Sequence, residues 1–175
     1  MRSWSILMIA VVLAVILSFG FYFDTHPQNG GLILSTNPFS KAIADAVHAK
    51  YYDMAQAAAV GYVKPEDILS VICRETGSYV LAGHDSATIS GDNGNSIGIM
   101  QIDLVYHPEY TKTELQNDAE NIQAGTQILS DCFNRQNGNR QAAYGCYNGS
   151  GEDGDYAITC VDYYNYFING SVPNA

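Results

Sequence analysis

The sequence predicts an α+β fold that is predominantly helical, with a small β-hairpin or sheet beside one central helix and a separate N-terminal transmembrane helix. Three observations predict it. Several segments repeat apolar residues every three or four positions behind a capping residue. Residues 91–103 are too rich in Gly, Asn and Asp for a helix, and they combine a turn signal with a strand-like run, residues 97–102. Residues 4–23 carry no charge.

The uncharged N-terminal stretch is long enough to cross a membrane. At about 1.5 Å per residue its helix would span about 30 Å of hydrocarbon. Arg2 should stay in the cytoplasm, which places the rest of the chain in the periplasm or at the cell exterior. We therefore predict that residues 1–23 form a signal anchor in the membrane. A cleaved signal peptide is the alternative, because Ser18-Phe19-Gly20 fits a cleavage site and its use would yield a secreted protein.

The rest of the chain is predicted to be one domain behind a linker. Residues 24–38 contain Pro and Asn-Gly-Gly, which are typical of a linker, and residues 39–170 hold the domain. The central helix should begin at Lys64-Pro65, since proline is favoured in a first turn, and it should end close after Glu75. The other predicted helices cover residues 39–60, 117–135, 139–147 and 155–167.

The charge balance excludes one class of function. Acidic residues outnumber Lys and Arg by 18 to 8, and the formal net charge is -10. A nucleic-acid binder needs a basic patch to meet the phosphates, and the sequence contains no basic cluster. No nucleic-acid partner is therefore predicted. No phosphate-binding loop is present either, and no cofactor is predicted.

The four cysteines, Cys73, Cys132, Cys146 and Cys160, leave several arrangements open. In an exported chain they permit two disulfides with three possible connectivities. Buried, unpaired cysteines are an alternative for at least one pair. No CxxC or HxxxH spacing is present, so no metal site is predicted.

Glu75 is the best candidate for an acid catalyst. It lies on the apolar central helix, where partial burial and the negative end of the helix dipole would both raise its pKa. A carboxyl that stays protonated near neutral pH can act as a general acid. Asp92 and Asp103 bracket the strand-like run, so an acid on a helix would face acids on a small sheet. This arrangement is one way to build a glycosidase cleft.

Several motifs around these acids resemble a known family. They are Glu75-Thr76, Gly91-Asp92-Asn93-Gly94-Asn95, Gly98-Ile99-Met100-Gln101-Ile102-Asp103, Tyr106-His107 and Cys146-Tyr147-Asn148-Gly149. In this order and spacing they resemble the central motifs of goose-type lysozymes, which belong with the lytic transglycosylases in one lysozyme-like superfamily. The resemblance covers residues 64–168. Thr76 replaces the usual serine and Cys146 the usual alanine, and neither change removes a catalytic group. The resemblance implies a lysozyme-like transglycosylase domain over residues 39–170.

The resemblance also implies a reaction and a substrate, the glycan strands of peptidoglycan. The enzyme would cleave the β-1,4 bond between N-acetylmuramic acid and N-acetylglucosamine, with Glu75 as general acid. If Asp92 or Asp103 holds a water, hydrolysis with inversion follows, an outcome that the two matching aspartates slightly favour. If neither does, Glu75 can activate the sugar's own 6-hydroxyl and yield a 1,6-anhydro product. The implied substrate-binding residues are Met100 in the floor of the cleft, Gln101, His107, Tyr147 and Asn148.

Alternatives remain at the level of single residues and of the whole protein. Turn capping explains Asp92 nearly as well as catalysis does, and His107 would also suit a structural loop. The whole protein could instead be a catalytically silent, membrane-anchored glycan-binding or assembly protein on the same fold, although the intact Glu75 argues against this. A metal-dependent wall peptidase lacks the ligand spacing. Partners in phage lysis or assembly, or in a secretion machine, would suit a short anchored enzyme, and the sequence leaves a bacterial or phage origin open.

Overall fold

The computed structural model describes residues 39–170, which form six α-helices, two short 3-10 helices (Ser86–Thr88 and Asp92–Gly94) and one small sheet. The helices are α1 (Lys41–Ala58), α2 (Pro65–Leu81), α3 (Lys112–Leu115), α4 (Asp118–Arg135), α5 (Arg140–Asn148) and α6 (Asp155–Asn169). The strands are β1 (Ser90–Gly91), β2 (Ser96–Ile97) and β3 (Ile102–Asp103), and they pair antiparallel in the order β1-β2-β3. The predicted α+β, predominantly helical architecture is thereby confirmed for this part of the chain.

No helix between residues 39 and 170 is long and apolar enough to cross a membrane. The predicted transmembrane span, residues 4–23, and the predicted linker, residues 24–38, lie outside the described residues. The anchor and the cleaved signal peptide therefore both stay predictions.

Helix α2 is the centre of the fold. It packs against α1 on one side and α6 on another. Its apolar side chains are fully buried, namely Ile68, Leu69, Val71 and Ile72. It begins as predicted, with Pro65 in its first turn and the Asp67 side chain accepting a hydrogen bond from the Lys64 backbone N–H at 2.9 Å.

The predicted end of α2 was wrong. The helix runs on to Leu81, so Glu75 lies six residues before the end and not in the last turn. Gly77 lies inside the helix and does not end it. A glycine is needed there because α1 packs closely against it, and a Cβ would overlap the side chain of Ile43. The helix dipole acts mainly within the terminal turn, so it is not the main influence on Glu75.

The predicted single strand over residues 97–102 was also wrong. Strands β2 and β3 are joined by a tight turn, residues 98–101, in which Gly98 and Gln101 have φ values of +77° and +51°. Ile99 and Met100 are fully buried in this turn, which explains why the segment is as apolar as a strand.

The other long helices begin within two residues of their predicted starts. Ser40, Asn117 and Asn139 each accept a hydrogen bond from a backbone N–H of the first turn of α1, α4 and α5. Helix α5 ends at Gly149, whose φ of +76° suits a left-handed helix terminator.

A partly buried ion pair, Asp67 with Arg140, fixes α5 against the start of α2. The Asp67 carboxylate is fully buried, and it accepts hydrogen bonds from Arg140 Nε at 2.6 Å and from Tyr144 Oη at 2.7 Å. Arg140 in turn lies 3.7 Å from the ring centroid of Tyr164 on α6. Every charged group in this network has a partner, so it holds three helices in one arrangement.

The structure shows which of the four cysteines are paired: one disulfide forms and two cysteines stay free. Cys132 on α4 is bonded to Cys146 on α5, 14 positions further along the sequence. Cys73 and Cys160 are buried free thiols. One of the two permitted pairs therefore forms, and α2 is held by packing without a disulfide.

Candidate active site

Glu75 lies in an open cleft on one side of α2, and its side chain is only partly buried. Tyr156 Oη donates a hydrogen bond to Glu75 Oε1 at 2.7 Å. Desolvation by the surrounding protein is the main reason that the pKa of Glu75 is raised from 4.5 to about 7. The Tyr156 hydrogen bond and the Arg74 charge lower this pKa, whereas Asp92 raises it. Near neutral pH a large fraction of Glu75 therefore carries a proton.

Tyr156 is a hydrogen-bonding neighbour of Glu75 that the sequence did not reveal. It lies on α6, 81 positions from Glu75 in the sequence. The Arg74 guanidinium lies 5.4 Å from the centroid of the Tyr156 ring. No local motif marks Tyr156, because its role depends on the packing of α6 against α2.

The turn below the cleft is held by three side chains from separate helices. Thr76 Oγ1 donates to the Ile99 carbonyl at 2.7 Å, and Tyr147 Oη donates to the Met100 carbonyl at 2.9 Å. The buried Asn121 amide accepts from the Met100 N–H and donates to the carbonyls of Ile97 and Leu115, all at 2.9 Å. The turn is therefore rigid where it meets the cleft.

Gln101 and Met100 have different surroundings although they are neighbours. Gln101 lines the cleft, and its Nε2 donates to the Gly98 carbonyl at 2.7 Å. Met100 is fully buried and packs against Gly125, where a Cβ would overlap its sulfur. The Met100 side chain therefore supports the turn from below and does not face the cleft, unlike the predicted floor contact.

Asp92 and Asp103 line the same cleft as Glu75. Asp92 has a φ of +46°, and its Oδ2 accepts a hydrogen bond from Ser96 Oγ at 2.7 Å. Asp103 Oδ1 accepts from the Val105 N–H at 2.7 Å. Each carboxylate thus accepts a hydrogen bond within its own turn, as expected for turn capping, and also presents a negative charge to the cleft.

The cleft has a volume of about 790 Å³, which is within the usual range for a ligand site. The structure brings seven of the eight predicted site residues to its walls: Glu75, Asp92, Gln101, Asp103, His107, Tyr147 and Asn148. His107 Nδ1 lies 3.2 Å from Glu109 Oε1 at the rim. The described residues contain no group of three His, Cys, Asp or Glu side chains that could hold a metal ion.

A largely helical domain with a glutamate of near-neutral pKa in an open cleft is typical of enzymes that cleave glycosidic bonds with a carboxylic acid. The family model of the transglycosylase SLT domain matches residues 54–157, which is more than half of the chain. The chain therefore belongs to the transglycosylase SLT domain family, whose members are lytic transglycosylases that bind the glycan strands of peptidoglycan. No curated protein and no solved structure matches the chain. The closer likeness to goose-type lysozymes stays a prediction.

Proposed function

We propose that this protein cleaves the β-1,4 bond between N-acetylmuramic acid and N-acetylglucosamine in peptidoglycan, with Glu75 as the general acid. The observation that carries the proposal is the position of Glu75 in the cleft, with a pKa of about 7 and a hydrogen bond from Tyr156. The hydrogen bond occupies Oε1 and so leaves Oε2 to meet the substrate.

In the first step Glu75 gives its proton to the oxygen of the scissile bond. The bond between this oxygen and the sugar carbon breaks, and the electron pair leaves with the oxygen. Positive charge develops at the sugar carbon, where the carboxylates of Asp92 and Asp103 and the new Glu75 carboxylate stabilise it.

In the second step the 6-hydroxyl oxygen of the same muramic acid bonds to that carbon, and its proton passes to Glu75. The product carries a 1,6-anhydro ring, and Glu75 is protonated for the next cycle. Transglycosylation is the outcome that the family supports. Hydrolysis is the second candidate, because Asp92 and Asp103 line the same cleft and could hold a water there.

Mass spectrometry of the products tests the reaction. The full-length chain in detergent would digest purified peptidoglycan beside the Glu75→Gln variant. Anhydro-muramyl ends with the parent and none with the variant are expected. Reducing ends would establish hydrolysis and make Asp92 and Asp103 the next residues to mutate. No products from the folded parent would overturn the enzyme and favour a silent glycan-binding or assembly protein.

We also propose that the domain works outside the cytoplasm, held by a membrane helix over residues 4–23. The Cys132–Cys146 disulfide supports an oxidising compartment. The mass of the mature protein distinguishes an intact membrane anchor from a cleaved signal peptide. An intact N-terminus in the membrane fraction is expected, whereas a soluble product that lacks about 20 residues would establish a cleaved signal peptide.

A further inference from the structure

The cleft walls are strongly acidic. Besides Glu75, four carboxyl groups line the cleft: Asp92, Asp103, Glu109 and Asp131. Peptidoglycan also bears carboxylates, on the peptide stems of its muramic acid residues, so most of this surface should repel it. A substrate of this kind needs a local positive charge to bind in such a cleft.

Arg135 is the single Lys or Arg that lines the cleft among residues 39–170. It is the last residue of α4, whose face from Gln127 to Arg135 forms one wall over about 12 Å. Asp131 lies one turn before it, the spacing at which helical ion pairs form. Asp131 instead accepts a hydrogen bond from Gln127 at 3.3 Å, and no described carboxylate oxygen lies within 4.0 Å of Arg135.

The neighbourhood of Arg135 keeps it beside the glycan-binding residues. Cys132, one turn before it, is bonded to Cys146, which precedes Tyr147 and Asn148 on α5. All of these residues line the cleft. The exposed guanidinium therefore lies at the wall of the site, with donors that no described carboxylate occupies.

We propose that Arg135 binds a carboxylate of the peptide stem, so that the enzyme selects glycan strands that bear charged stems. This inference rests on the proposed function, since it names the form of the same substrate. A guanidinium can bind a carboxylate through two parallel hydrogen bonds. The other charged side chains of the cleft repel the stem carboxylate, whereas Arg135 attracts it and so allows a charged stem to bind.

The test compares two soluble glycan oligomers whose stems are identical except that one bears carboxylates and the other carboxamides. Full-length parent, Arg135→Gln, Lys112→Gln and Glu75→Gln would each be assayed for kcat/KM on both oligomers. Lys112 is the matched control, because it is exposed, lies on α3 and does not line the cleft, yet its loss changes the net charge equally. The thermal midpoint of each variant shows that it is folded.

The parent should prefer the carboxylate oligomer, and high salt should weaken this preference. Arg135→Gln should lose about fivefold in kcat/KM on the carboxylate oligomer alone, which is the size expected of one exposed ion pair. Its preference should then reverse, because the remaining wall charges repel the charged stem. Lys112→Gln should keep the parent's preference.

An equal loss on both oligomers, or a parent without preference, would overturn the role of Arg135. The proposed function would survive that result if Glu75→Gln cleaves neither oligomer while the parent cleaves both. If the parent cleaves neither oligomer, the proposed function fails and the role of Arg135 fails with it.

Discussion

Removing one hydroxyl, in the Tyr156→Phe variant, should move the pH profile of the reaction. Tyr156 Oη donates to Glu75 Oε1 at 2.7 Å, and a donor stabilises the charged form of a carboxyl. Without this hydrogen bond the pKa of Glu75 should rise above its value of about 7. A hydrogen bond to a charged group contributes about 1.5 kcal/mol, which corresponds to a rise of about one pKa unit.

The direction of the change in activity follows from the general-acid role proposed for Glu75. A general acid must be protonated, so kcat/KM should fall as the pH rises through the pKa of Glu75. In the parent this alkaline decline should lie near pH 7, and in Tyr156→Phe it should lie about one unit higher. The assay is kcat/KM for cleavage of a soluble glycan oligomer between about pH 5 and pH 9.

Tyr166→Phe is the matched control for this measurement. Tyr166 lies on the same helix and donates to the Asp45 carboxylate, also at 2.7 Å, but neither residue lines the cleft. Its profile should superimpose on that of the parent. If the alkaline decline of Tyr156→Phe is unmoved, or moves to lower pH, Tyr156 does not control the pKa of the proposed catalytic acid, Glu75, and the reasoning is refuted.

Three further predictions concern stability. Because the folded-state pKa of Glu75 is raised, its contribution to stability falls as the pH rises from about 4.5 to about 7. The free energy of unfolding of Glu75→Gln, measured by urea denaturation, should therefore exceed that of the parent by about 1–3 kcal/mol at pH 8 and equal it at pH 4. A difference of the same size at both pH values would contradict this. Replacing Cys132 and Cys146 by serine opens a loop of about 15 residues and should lower the free energy of unfolding by about 3 kcal/mol. The denaturant midpoint should fall accordingly, and an unchanged midpoint would contradict this prediction. Gly98→Ala should lower the free energy of unfolding by at least about 3 kcal/mol, because its Cβ would overlap Asn121 and the Leu115 carbonyl. Gly83 is the control: it has a similar φ, +74°, but open space around it, so Gly83→Ala should lower the free energy of unfolding by only about 1–2 kcal/mol. Equal losses in the two variants would contradict the overlap at Gly98.

The helix starts were predictable because their causes are local. Ser40, Asn117 and Asn139 cap helices through hydrogen bonds to residues two or three positions away, and Pro65 occupies a first turn that needs no N–H. The stop at Gly149 is equally local, since it depends on one backbone conformation.

The two errors in the fold arose where distant residues decide. Gly77 would normally favour a helix end, but its contact with Ile43 on α1 makes it part of the helix. The run from Ile97 to Ile102 has the composition of a strand, yet the buried Asn121 holds it as a turn from α4. Neither partner can be identified from the neighbouring sequence.

The sequence by itself determined the class of this protein. The helix periodicity, the caps and the Gly-Asn-Asp segment specify a helical domain with a small sheet, and the motifs from Glu75 onward placed seven candidate residues that line one cleft. Only the tertiary structure decided the pKa of Glu75, its bond to Tyr156, the choice of disulfide and the isolated charge of Arg135. Desolvation and pairing of charges depend on which distant side chains are brought together, and this information exists only once the helices have packed.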